Sequence, residues 1–216
     1  MLRRVLLPWK NLSVSLITMT DKKETRLIKD LKSIPSPVFY IFAAVALFCG
    51  LFVYGITLTG VITSVFLILL VACASSDIKD GIVPDLILIL IAVLAAVKII
   101  LLEMHTLPNI AEHIAGALII SVPMLITALI VKGAFGGGDI KLMAAAGLYM
   151  AWRATLGGAV LGICTAGIYG IVLIILKKAN KTSKIRLAPF LVYGLAIFSL
   201  YYEQLFNRLS IVAQMC

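Results

Sequence analysis

The sequence predicts an all-α fold: a polytopic transmembrane helical bundle of about six to seven membrane helices, with its N-terminus cytoplasmic. Three observations carry this prediction. The mean hydropathy is +1.12. Only 13% of the 216 residues are charged, against roughly 25% in a soluble domain. Apolar runs long enough for membrane helices alternate with short charged loops.

The runs are read in order. Residues 38–76 carry no charge. That is too long for one helix of roughly 20 residues, and "YGITLTG" supplies a turn near Thr59 and Gly60. Two spans follow, 38–58 and 61–76. Further apolar runs lie at 86–102, 110–131, 140–152, 155–176 and 188–206. The run at 140–152 is short for a full crossing, so it is a half-helix or a span in a protein-lined place.

Charge sets the orientation. If the short run crosses, sixteen of the 19 Lys and Arg fall on the side of the N-terminus. Residues 1–36 then form a basic cytoplasmic tail, with "RLIKDL" as a short amphipathic surface helix, and residues 37–216 form the membrane domain. The +9 charge is explained by this bias, so no nucleic-acid partner is expected. Pro8, Trp9, Lys10 and Asn11 interrupt the apolar stretch that a signal peptide requires. The four cysteines are far apart, which argues against a zinc ribbon or a dithiol centre.

The acidic residues carry the functional information. Asp77, Asp80 and Asp85 lie in "SSDIKDGIVPD", and Asp139 follows Gly136, Gly137 and Gly138 in "GGGDIKLMAAAG". Carboxylates at a membrane face are costly and point to a functional site. Each also has a plainer reading. Asp139 and Asp85 fit helix caps, Asp80-Gly81 fits a turn, and Asp77 ends a span.

The pair is harder to explain away. Asp77 and Asp139 lie at opposite helix polarities, with two spans between them, and the topology brings both to the same face. Two carboxylates in a partly dry site share a proton, which equips them to activate a water and protonate a leaving amine. Helix polarity favours Asp139 as the ionised partner. The glycines leave room for a substrate strand and tolerate positive φ. Lys141 either attracts a carboxylate or marks the inner face, and the second is favoured. Asp80 and Asp85 are secondary candidates for contact with a basic leader. Glu112 and His113 are read as interfacial.

Three stretches, "DIKDGIVPD", "GGGDIKLMAAAG" and "RLAPFLVYG", resemble in order and topology those of the type IV prepilin peptidases, membrane aspartyl proteases of the GxGD class. The resemblance implies that Asp77 and Asp139 are the catalytic pair. It implies removal of the short basic leader from prepilins or pilin-like precursors in a prokaryotic cytoplasmic (inner) membrane, with no cofactor and no metal. Longer relatives carry paired cysteines in an N-terminal region associated with N-methylation. The tail here has none, so methyltransferase activity is not expected. The compact form is similar to tight-adherence pilus or archaeal preflagellin peptidases. A competing reading uses the same carboxylates as oxygen ligands for Mg²⁺ or Ca²⁺, in a transporter or a metal-dependent lipid enzyme.

Overall fold

The computed structural model describes residues 37–103, 107–131, 134–176 and 186–215. The tail 1–36 with its "RLIKDL" segment, and the basic cluster at 177–185, lie outside the described residues. Among the described residues the regular structure is helical: α1 (Pro37–Tyr54), α2 (Leu58–Asp80), α3 (Asp85–Lys98), α4 (Leu107–Ile130), α5 (Gly137–Ile175) and α6 (Ala188–Met215). A short π-helical turn, Ile99–Glu103, follows α3. Four of the helices are long and apolar enough to cross a membrane, and α1 and α6 contain shorter apolar stretches. Large apolar side chains stand exposed along the bundle, among them Phe52, Ile89, Leu129 and Ile175. Contiguous apolar surface of this kind needs lipid around it, so this is a membrane protein.

The first two helices turn earlier than the sequence suggests. Gly55 takes a left-handed φ of 69°, and Thr57, not Thr59, begins α2. The Thr57 hydroxyl accepts the Gly60 amide at 3.1 Å, satisfying one of the four orphan donors at the helix start. Helix α2 then runs three residues past Asp77 to Asp80. Gly81 ends it in the left-handed region, φ 68°, with its amide bonded to the Asp77 carbonyl. The Asp80-Gly81 turn is therefore a helix C-terminus.

The runs at 140–152 and 155–176 form one helical stretch broken at Ala151, where φ is 62° and ψ is 173°. The contacts show that the chain reverses there. Asp139 shares the α2–α3 end of the bundle with Gly81. Tyr149, by contrast, bonds Thr63 near the start of α2 and stacks on Phe66. Beyond the break, Gly157 faces Phe198 and Gly162 faces Leu191, so α5 descends antiparallel to α6. The break between the runs 140–152 and 155–176 thus falls at one strained alanine.

A positive φ on a residue with a Cβ costs about 1–3 kcal/mol and persists only when its surroundings hold it. The break also frees carbonyls that cannot find water inside a membrane. Each has a partner. His113 Nδ1 donates to the Leu148 carbonyl at 2.7 Å. Lys98 Nζ donates to the Tyr149 carbonyl at 3.3 Å and lies over the Tyr149 ring. Thr155 donates to the Ala151 carbonyl. The sequence places His113 at the membrane interface, because the break that it and Lys98 serve is not visible there. His113→Ala is expected to destabilise the protein by about 1–3 kcal/mol, the cost of a buried acceptor left unmet. Thermal unfolding in detergent checks this.

Glycines set the closest helix crossings. Gly116 of α4 meets Gly147 of α5, and Gly158 of α5 meets Gly194 of α6. At each, an added Cβ would overlap or press on the partner helix's backbone. Gly158 and Gly162 both lie on the α6 contact, where small residues let the backbones approach.

Candidate active site

One end of the bundle holds a cleft lined by Asp77, Gly81, Ile82, Val83, Asp85, Gly136, Gly137, Gly138, Asp139 and Lys141. Seven of the eight site residues expected from the sequence meet there. Asp80 does not: it is exposed in the last turn of α2, outside the lining.

Asp77 and Asp139 reach the cleft from opposite helix ends. Asp77 sits in the last turn of α2 at 8% exposure, and Asp139 in the first turn of α5 at 9%. The Asp139 carboxyl is close enough to feel the charge of Asp77. The Asp77 Oδ2 is buried and has no hydrogen-bond partner among the described residues.

The cap reading of Asp139 needs correction. The N-cap is Gly136, and Asp139 stands three residues inside the helix. From there its carboxylate reaches back to the Gly136 backbone, as the third residue of a capping box does. A Cβ on Gly136 would stand 3.1 Å from the Asp139 Oδ2. Gly136 therefore makes room for the aspartate itself. A Cβ on Gly138 would stand 3.0 Å from the Val83 Cβ, so Gly138 makes room for the α2–α3 loop. Gly137 alone of the three faces open space. Gly136 has φ −72°, and none of the three takes a positive φ. The left-handed conformation expected of the glycine run is not used, because a helix start needs ordinary φ values.

Asp85 is also not an N-cap. Pro84 holds that position and Asp85 is the first residue of α3. Its carboxylate accepts from Lys141 Nζ at 2.7 Å. Lys141 thus attracts a carboxylate, the reading the sequence disfavoured, but it is not one of the buried pair. Both side chains are at least 60% exposed, and exposed pairs contribute about 0.2–1 kcal/mol. Asp85→Asn is expected to lower the melting temperature by no more than about 4 °C, and by less in high salt; a salt series of melting curves checks this.

From this ion pair a groove continues between α3 and the first half of α5. It is lined by Leu88, Ile89, Ala92, Ala117, Ala144, Ala145 and Leu148. On α3 and on α5 these positions recur at helical spacing on one face.

The type IV leader peptidase family model matches residues 64–171, half of the chain, and this range contains both buried aspartates. The chain belongs to the type IV leader peptidase family. No curated protein and no solved structure matches it. Membership makes the chain a membrane peptidase, and the resemblance read from the three sequence stretches stands.

One member of the site went unseen in the sequence. In the sequence Arg186 is one of the sixteen Lys and Arg on the side of the N-terminus. In this leader peptidase its guanidinium donates to the Ile78 carbonyl and places positive charge beside Asp77. Helix polarity was thus an incomplete guide to the two aspartates, because it left this cation out. Its position in "RLAPFLVYG", just before the last helix, was the available signal.

Proposed function

We propose that the chain is an aspartic endopeptidase that removes the short basic leader from prepilins or pilin-like precursors. The cleavage is placed at the cytoplasmic face of a prokaryotic inner membrane that the chain crosses several times. One observation carries the reading: two aspartates from different helices, each under a tenth exposed, line a single cleft at the end of an apolar bundle.

Two carboxyls so placed hold one proton between them. The ionised member takes a proton from water, and the water oxygen attacks the scissile carbonyl carbon. The protonated member donates to the carbonyl oxygen, giving a tetrahedral intermediate. When the intermediate collapses, the C–N bond breaks, the amine leaves with a proton from one aspartate, and a hydroxyl of the intermediate returns its proton to the other. The products are a leader ending in a carboxylate and a mature chain with a new amino terminus. Gly137, open to the cleft, leaves room for an extended backbone there. The apolar groove between α3 and α5 supports a precursor whose leader lies in the cleft while its following apolar segment lies against the bundle.

The test is cleavage of a pilin-like precursor by the purified full chain in detergent or bilayer discs, with and without chelator. Chelator-insensitive cleavage at the leader boundary is expected. Activity abolished by chelation would instead favour the divalent-cation reading. That reading requires the carboxylates to converge, whereas Asp80 points outside the cleft lining and Asp85 is engaged by Lys141.

A further inference from the structure

Helix α2 ends with carbonyls that have no partner further along the helix. The Ile78 carbonyl is one of them. It is bonded by Arg186, a residue 108 positions away at the entry to α6. The same guanidinium lies over the helix end: its Nη2 is 3.8 Å from where a Cβ on Gly81 would stand. Gly81 is left-handed and bare, so the guanidinium lies against the backbone.

Asp77 is one residue before Ile78. It sits at the negative end of the α2 dipole, which disfavours a carboxylate, and its Oδ2 has no hydrogen-bond partner among the described residues. From α5 it faces a second carboxyl, Asp139. On its own turn, Lys79 and Asp80 are exposed, and at the cleft mouth Lys141 is matched by Asp85. Among the described residues, Arg186 is a cation whose charge acts on Asp77.

We infer that Arg186 is a positioning residue for Asp77: it pins the end of α2 and supplies the positive charge that lets Asp77 exist as a carboxylate beside Asp139. Its place is at the backbone end of α2, not in the cleft lining. It acts through Asp77, which must both hold and release a proton in each cycle. This inference rests on the proposed function for its catalytic meaning, but the Arg186–Asp77 coupling is measurable without substrate.

The experiment uses the full chain with Arg186→Gln and Arg186→Lys. The first readout is the rate at which a membrane-permeant carbodiimide, which attacks protonated carboxyls, modifies Asp77, followed by mass spectrometry. The second is kcat and KM on the precursor. In Arg186→Gln, Asp77 is expected to react roughly threefold faster or more, and kcat to fall by about tenfold, the change in ionised fraction that one unit of protonation balance produces. KM stays near the wild-type value, and millimolar guanidinium restores part of kcat. Arg186→Lys keeps the charge and is expected to stay close to wild type in both readouts.

Equal modification of Asp77 in wild type and Arg186→Gln overturns the inference. So does equal impairment of the Gln and Lys variants, which is the signature of an anchor without an electrostatic role. If Arg186→Gln does not fold, Arg186→Lys decides, since its failure to hold wild-type modification and kcat also overturns the inference. A wild type that cleaves no precursor removes the proposed function, and the carbodiimide readout still decides the coupling.

Discussion

Asp77→Asn and Asp139→Asn are each expected to lower precursor cleavage by at least about a thousandfold, within the range of general acid–base contributions. Asparagine keeps the size and most of the hydrogen bonding of aspartate but cannot gain or lose a proton in the cycle. Losing either residue removes the shared proton, and with it both the base and the acid, so the double variant falls hardly further than either single one. Stability is expected to move the other way. Each carboxyl is more than nine-tenths buried, and a charge kept from water is costly. The Asn variants should melt at or above the wild-type temperature. Cleavage assays run beside melting curves separate the two effects. A well-folded variant that retains even a tenth of the activity would sink the two-aspartate mechanism.

Gly147→Val is expected to cost about 3 kcal/mol or more, at the upper end of overpacking penalties. A Cβ at Gly147 would overlap the Gly116 carbonyl and press on the Ala117 amide. Those atoms are backbone on both helices, so no side-chain rotation relieves the clash. Relief requires α4 and α5 to separate, which would pull His113 away from the Leu148 carbonyl just beyond. Gly167→Ala makes the comparison. It also lies in α5, but an added Cβ meets nothing within 4 Å. There, removing a flexible residue from a helix interior should stabilise by about 0.5–1 kcal/mol. Unfolding curves of the two variants in the same detergent should shift in opposite directions.

The fold and the site were legible to different depths, for physical reasons. Apolar length marked every helix, because the bilayer imposes one dimension on all of them. Helix ends were less legible. Asp77 was read as the end of a span because charge begins there, yet α2 continues to Asp80, where Gly81 supplies the left-handed ending. The aspartate pair was visible because a buried carboxylate needs a reason wherever it occurs. The reasons for Gly136 and Gly138 were not, since each makes room for an atom known only from the fold: the Asp139 carboxylate and the Val83 side chain. His113, Lys98 and Arg186 share one explanation. Each bonds a backbone carbonyl at a helix break or end, and sequence patterns do not show which distant carbonyl is unmet.

The Gly116–Gly147 crossing has a mechanical consequence. Where two backbones touch, neither helix can slide closer or part without cost, so the crossing behaves as a pivot. Asp139 lies a little over two turns from Gly147 along α5, about 12 Å at ~1.5 Å per residue. A tilt of about 5° around the pivot displaces the carboxyl by about 1 Å, and a misplacement of that size costs about a hundredfold in rate. Helix tilt follows the thickness of the surrounding hydrocarbon. Asp139 sits at the free end of a lever whose fulcrum is set within the bundle, and the choice of lipid therefore enters the chemistry of the cleft.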